Sequence, residues 1–271
     1  MDSFKQLVRF TANNQAHYGD LLEEDDAFYT VRKLEGDAFI FHETNEIFKV
    51  DKLLCPLENT PIIICIGLNY KSHAEEAKLS LPKYPAVFVK PADALAGPFD
   101  KIHTHPETRE MLDYEGELVI VVGKDCKDVR KEDAASFVLG YTVGNDVSAR
   151  NFQVPEASGG QFCYAKSFDG FAPIGDRITS CKALPEPLSA RIVTKVNGSV
   201  KQDSNINDMI FSVGQIISHL SRGTTLRNGT VIMTGTPSGV GYFRKEFLKD
   251  GDVVEVSIEG VGRIENVVSF S

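Results

Sequence analysis

The sequence predicts a mixed, β-rich α+β chain, and three observations carry that prediction. Short apolar, β-branched runs recur between turn-forming residues, as in Ile62-Ile63-Ile64-Cys65-Ile66 and Leu118-Val119-Ile120-Val121-Val122. One longer stretch, Met209 to Leu220, carries its apolar residues on a helical stripe. The dipeptide Asn197-Gly198 stands between two strand-like runs, the signature of a tight hairpin.

In chain order, Phe4 to Phe10, Ala27 to Lys33 and Asp37 to Phe41 read as short strands. Asn13-Asn14, Gly19-Asp20 and Glu35-Gly36-Asp37 read as the turns between them. These make a small N-terminal β module, residues 1–56. Pro56 and the segment through Pro61 break the pattern, and a larger unit, residues 57–271, opens with the fully apolar strand Ile62 to Ile66. Ser72 then caps a short helix, with Glu75 at the capping-box position, and puts His73 and Glu76 on neighbouring turns as an i, i+3 pair. Lys78 to Pro85 is a loop, and Ala86 to Pro91 a strand ending in Lys90. Leu118 to Val122 is a buried strand. Ser136 to Asn145 is another, delivering Asp146 at its C-terminal end, and Val147 to Gln153 makes a helical turn. Beyond the Ile192 to Val200 hairpin, Asp208 caps the Met209 to Leu220 helix. Thr230 to Met233 is a strand opening into the glycine-rich loop Thr234 to Gly241, whose N–H groups can face an anion. Asp252 to Ile258 and Arg263 to Phe270 are the last strands.

Composition narrows the function. With 271 residues, 42% hydrophobic, the chain has material for a sizeable core. A net charge of -9 and a pI near 5.2 argue against nucleic acid and anionic membranes as partners and favour a small molecule. The five cysteines are scattered, with no C-x-x-C pair, which fits a reducing compartment. The acidic N-terminal stretch lacks the features of a signal or transit peptide, so a cytoplasmic location is expected.

The chemistry centres on Asp113-Tyr114-Glu115-Gly116-Glu117, which runs into the apolar strand. Strand geometry sends Glu115 and Glu117 the same way, about 7 Å apart. Two like charges at the mouth of a sheet call for a hard divalent cation such as Mg²⁺ or Ca²⁺, or else for solvent or basic partners. Asp146 adds a third anionic oxygen donor from a second strand end. Lys166 stands in a nearly uncharged stretch and is either functional or an exposed lysine paired with Asp169. His103-x-His105 reads as a polar loop rather than a metal site. G-x-S-x-G and H-E-x-x-H are absent, and the glycine-rich loop lacks the lysine of a Walker A motif.

Six motifs then occur in order: Gly67-Leu-Asn-Tyr-x-x-His73-x-x-Glu76, Asp113-Tyr-Glu115-x-Glu117-Leu, Asn145-Asp146-Val-Ser-Ala-Arg150, Ala165-Lys166-Ser-Phe-Asp, Val196-Asn-Gly and Thr234-Gly-Thr236-Pro-x-Gly-Val-Gly. Together they closely resemble the fumarylacetoacetate hydrolase family, over residues 62 to about 262. Phe243-Arg-Lys-x-Phe-Leu-Lys looks like the branch of oxaloacetate tautomerases and domain-containing-protein-2 relatives.

The resemblance implies a mixed β-sandwich roll, usually a homodimer, with Mg²⁺ or Mn²⁺ held by Glu115, Glu117 and Asp146. It implies Lys166 as the stabiliser of a substrate anion and His73 with Glu76 as the dyad that activates water or moves protons from a mobile lid. Gln153 and Thr236 become substrate contacts, and Arg150 and Lys90 join them as substrate-binding candidates. The expected substrates are small 2-oxo acids, oxaloacetate or acylpyruvates. A metal-chelated enolate would serve hydrolysis, decarboxylation or keto-enol tautomerisation, the chemistries of hydrolases, lyases and isomerases. A non-catalytic, metal-dependent keto-acid binding protein is the alternative. Ile66 stands where fumarylacetoacetase itself has a further aspartate ligand, which argues against fumarylacetoacetate as substrate, and Asn151 replaces an aspartate common in the family.

Overall fold

The computed structural model of the chain describes residues 3–184 and 189–270. At its centre lies the strand Gly116–Val122, every residue of which is buried. Alternation sends Leu118, Ile120 and Val122 to one face, against Ile192, Val254, Val256 and Ile264. Val119 and Val121 go to the other, among Leu7, Ile63, Cys65, Phe88 and Ile178. A strand covered on both faces needs no polar alternation, which explains the unbroken apolar run.

Around it runs a large mixed sheet. Gly116–Val122 is antiparallel to Val138–Asn145 on one side and to Val231–Met233 on the other. Ile63–Gly67 follows in parallel, and Ala86–Lys90 ends that side. In the opposite direction Ile178–Ser180 pairs with both Val138–Asn145 and Gln6–Ala12, so the N-terminal strands continue the same sheet. Gln15–Glu24, Tyr29–Gly36 and Phe41–Val50 complete it around a cluster of their own, which includes Val8, Phe10, Val31 and Leu53. A second sheet is ordered Ser199–Asn205, Arg191–Val196, Val253–Ile258, Gly262–Ser269, Ile102–His103. It comes so close to the first that a Cβ at Gly116 would lie 2.1 Å from Thr194 Oγ1.

Several local expectations change. Gly19-Asp20 lies inside the strand Gln15–Glu24 instead of forming a turn. The glycine is there because a Cβ would meet Val31 Cγ1 at 2.1 Å, and Asp20 Oδ1 accepts the Lys5 and Gln6 N–H groups. Asp37 to Ile40 is a turn, with Asp37 Oδ1 accepting the Phe39 and Ile40 N–H groups at 2.7 Å, and the strand begins only at Phe41. The helix is Val213–Leu220, capped by Ser212 and Gln215 in a capping box. Asp208 caps elsewhere: Oδ2 accepts the Ser72 N–H at 3.1 Å, at the start of the helix Lys71–Ala77, whose N-cap is Tyr70. The hairpin turn has Asn197 and Gly198 at φ 51° and 75°, the left-handed pair of a type I′ turn. No helix among the described residues is long and apolar enough to cross a membrane.

Candidate active site

Register brings the three acids together. Gly116 pairs with Asn145, so the start of one strand meets the end of the next. The Glu115 N–H donates to Asn145 Oδ1 at 2.8 Å and the Asp146 N–H to Glu115 O at 2.9 Å. Oxygens of Glu115, Glu117 and Asp146 lie within 4.8 Å of one another, and all three residues are buried. Among the described residues no other group of three acids, histidines or cysteines converges this way. His103 lies in a strand and His105 caps a short 3₁₀ turn, outside any such group.

Cations surround the acids. Lys166, buried on the turn Cys163–Lys166, donates at 2.7 Å to each of Glu115 Oε2, Asp146 Oδ2 and Ser148 Oγ, which excludes the exposed pairing with Asp169. Arg150 reaches Glu115 Oε1 at 2.5 Å, Asp113 Oδ2 at 2.8 Å and Gln153 Oε1 at 2.8 Å. Asp113 thus stands behind Arg150. Burial pushes the Glu115 carboxyl up, but Arg150 and Lys166 outweigh it and hold it far below the usual range. Glu117 makes no ion pair among the described residues, and burial together with Asp146 and Glu115 outweighs the Gly235 N–H and the Lys166 charge and raises its carboxyl well above that range.

The glycine-rich loop does face anions, and they belong to the protein. The Gly235 N–H donates to Glu117 Oε2 at 2.7 Å and the Gly239 N–H to Glu76 Oε1 at 2.9 Å. The Gly241 and Tyr242 N–H groups hold Asp113 at 2.8 and 2.9 Å. Glu76 also takes His73 Nδ1 at 3.1 Å, making the dyad on one helix.

A cavity of about 490 Å³ opens over this cluster, lined by His73, Glu115, Glu117, Arg150, Gln153, Lys166 and Thr236 at its polar end. Leu68, Leu79, Phe88, Val154, Phe162 and Phe243 are among its apolar lining. Lys90 is the expected substrate contact that does not reach it. Fully buried, its ammonium sits 2.6 Å from Asp146 Oδ1 while its hydrogen bonds run to the carbonyls of Val147 and Phe171.

These residues fit a divalent cation. Asp146 Oδ1 is buried and accepts no hydrogen bond, since Lys90 approaches it off the hydrogen-bonding direction. Glu117 makes no ion pair among the described residues, and the donors are all hard carboxylate oxygens. Sequence reasoning gave no role to Ser148, although it stands inside the motif of residues 145–150, nor to Gln202, whose strand Ser199–Asn205 carries no motif.

A protein-family model described as fumarylacetoacetate (FAA) hydrolase C-terminal matches residues 62–269. The chain is 44% identical over 243 residues to a fumarylacetoacetate hydrolase domain-containing protein 2 homolog of Dictyostelium discoideum, covering 83% of this chain and 79% of that protein. To a mitochondrial oxaloacetate tautomerase of Xenopus laevis it is 43% identical over 218 residues, covering 80% and 68%. The solved 5-carboxymethyl-2-hydroxymuconate delta-isomerase from Mycobacterium smegmatis matches with a TM-score of 0.86 at 34% identity, over 98% of this chain and 100% of that one.

Proposed function

Since this chain belongs to the fumarylacetoacetate (FAA) hydrolase family and is one of its enzymes, we propose that it is a divalent-metal-dependent enzyme of small 2-oxo acids, with keto-enol tautomerisation of oxaloacetate as its reaction. The observation that carries this reading is that His73, held by Glu76, lines the same cavity as Glu115 and Glu117. Glu76 holds the His73 ring through Nδ1, leaving Nε2 to take the proton from the carbon next to the keto group and pass it to the enolate oxygen, or to carry it from the enol oxygen to that carbon in the reverse direction. Lys166 and Arg150 set positive charge at the polar end, where the substrate's oxygens gather negative charge. Thr236 and Gln153 line the same end and orient the carboxylate. A Mg²⁺ or Mn²⁺ ion held by Glu115, Glu117 and Asp146 would supply Lewis acidity towards those oxygens.

Cleavage of an acylpyruvate is the second reading, and the apolar side chains Leu79, Phe88 and Phe162 in the cavity lining favour it. One assay separates the readings: oxaloacetate and acetylpyruvate followed by ultraviolet absorbance and product analysis, with Mg²⁺ and with chelator. Faster enol decay without a new product means a tautomerase. Pyruvate from oxaloacetate means a decarboxylase, and acetate plus pyruvate from acetylpyruvate a hydrolase. Binding without turnover in either case leaves only the keto-acid binding protein. A homodimer, a cytoplasmic setting and an accessory module of residues 1–56 belong to the same proposal; no described residue before Ile66 lines the cavity.

A further inference from the structure

We infer that Gln202 is a positioning residue of this site, acting through Thr236 and through the peptide between two of the carboxylates; the assignment rests on the functional reading above. Gln202 comes from the second sheet, on the strand Ser199–Asn205, and is 1% exposed. Its Oε1 accepts the Gly116 N–H at 2.9 Å, and its Nε2 donates to Thr236 Oγ1 at 2.8 Å and to Pro237 O at 2.9 Å. Thr236 Oγ1 in turn donates to Gly116 O at 3.0 Å. The ring closes on Gly116, the residue between Glu115 and Glu117. One carboxamide therefore fixes the ligand-bearing strand against the loop that lines the cavity.

The same ring fixes the polarity of Thr236. A hydroxyl has one proton and two lone pairs. The Thr236 proton goes to Gly116 O and one lone pair takes Gln202, which leaves one lone pair. To donate to a substrate carboxylate, Thr236 must release Gly116 O, and Gln202 is the contact that keeps the hydroxyl in place while it does so. A residue that only filled space in the second sheet would have no reason to act through Thr236.

The test compares wild type with Gln202→Met, Thr236→Val and the double variant, each with Mn²⁺ and oxaloacetate. Gln202→Met is expected to raise KM about tenfold with a smaller change in kcat, the size of one lost hydrogen bond. Added to Thr236→Val it should cost no more than about a further twofold, because the two act as one unit. Calorimetry without substrate gives an independent readout: Mn²⁺ affinity should fall in Gln202→Met and be kept in Gln202→Glu, which retains the acceptor for the Gly116 N–H. If Gln202→Met does not fold, Gln202→Glu replaces it in the cycle with Thr236→Val. Multiplicative effects in the double variant, or Mn²⁺ affinity and KM both at wild-type values in the single one, would overturn the assignment. A wild-type chain that neither binds Mn²⁺ nor turns over a 2-oxo acid overturns the functional reading itself.

Discussion

His73 Nδ1 lies 3.1 Å from Glu76 Oε2, while the other oxygen of Glu76 takes the Gly239 N–H at 2.9 Å. The pair is therefore tied to the same loop that holds Glu117 through the Gly235 N–H.

Replacing Glu76 by glutamine should lower kcat for oxaloacetate at least about tenfold and leave KM near its wild-type value, since the residue orients a base. Burial pushes the Glu76 carboxyl up, but the hydrogen bonds from His73 and the Gly239 N–H outweigh it and hold it below its ordinary 4.5. A depressed carboxyl stabilises the fold above the unfolded value and loses that contribution as pH falls through the folded one. Thermal melts should therefore show a gap between wild type and Glu76→Gln at neutral pH that closes on acidification below 4.5.

Glu117 has the opposite sign. Because its folded carboxyl is raised, the metal-free chain should lose stability as pH climbs above the usual carboxylate range. Glu117→Gln should flatten that slope in chelator and abolish the rise in Tm that Mn²⁺ gives wild type. A full Mn²⁺ response in the variant would remove Glu117 from the ligand set.

Lys166→Met leaves Glu115 and Asp146 buried without their shared cation. In chelator this should cost about 3 to 5 kcal/mol by urea melts, with Mn²⁺ restoring part of it, and turnover should be lost. Burial pushes the Lys166 ammonium down, but Asp146 and Glu115 outweigh it and raise it to about 12. Its contribution is fully present below 10.5 and lost only as pH rises through about 12, so no limb of a neutral pH-rate profile should belong to it.

Lys90→Met gives a contrasting result. The side chain is fully buried against Asp146 and two carbonyls, outside the cavity. Stability should fall by about 3 to 5 kcal/mol, while KM of the folded fraction at saturating Mn²⁺ stays near the wild-type value, since Lys90 reaches the site only through Asp146.

The acids were legible because Glu115 and Glu117 precede an apolar run and Asp146 ends another, a pattern with a period and a direction. Helix caps were not. Ser72 with Glu75 and Asp208 with Met209 both look like local caps, yet Asp208 serves the helix of Ser72, 136 residues away in sequence, and Ser212 serves its own. Tertiary contact chose between local options that the sequence leaves nearly equal. Gly19 was misread for a related reason: a glycine needed for close packing against Val31 looks the same as one needed for a turn. Gln202 carried no signal at all, since a polar residue in a strand reads as solvent-facing until a second sheet covers it.

The loop of residues 235–242 holds Glu117, Glu76 and Asp113 by peptide N–H groups alone. A peptide donor survives nearly any exchange of side chain, so codon changes at Tyr242 or the adjoining Phe243, which line the cavity, can resculpt the pocket wall without erasing the electrostatics behind it. Its vulnerabilities are narrow. Proline deletes a donor outright, and a side chain at Gly235 or Gly239, with φ at 100° and 105°, would strike Asn69 or the Lys201 carbonyl. A Cβ at Gly241 would likewise lie 2.2 Å from the Glu246 carbonyl, so a saturation map of this segment should be permissive at its aromatic positions and closed at its three glycines, which makes it a natural place to retune substrate preference by directed evolution.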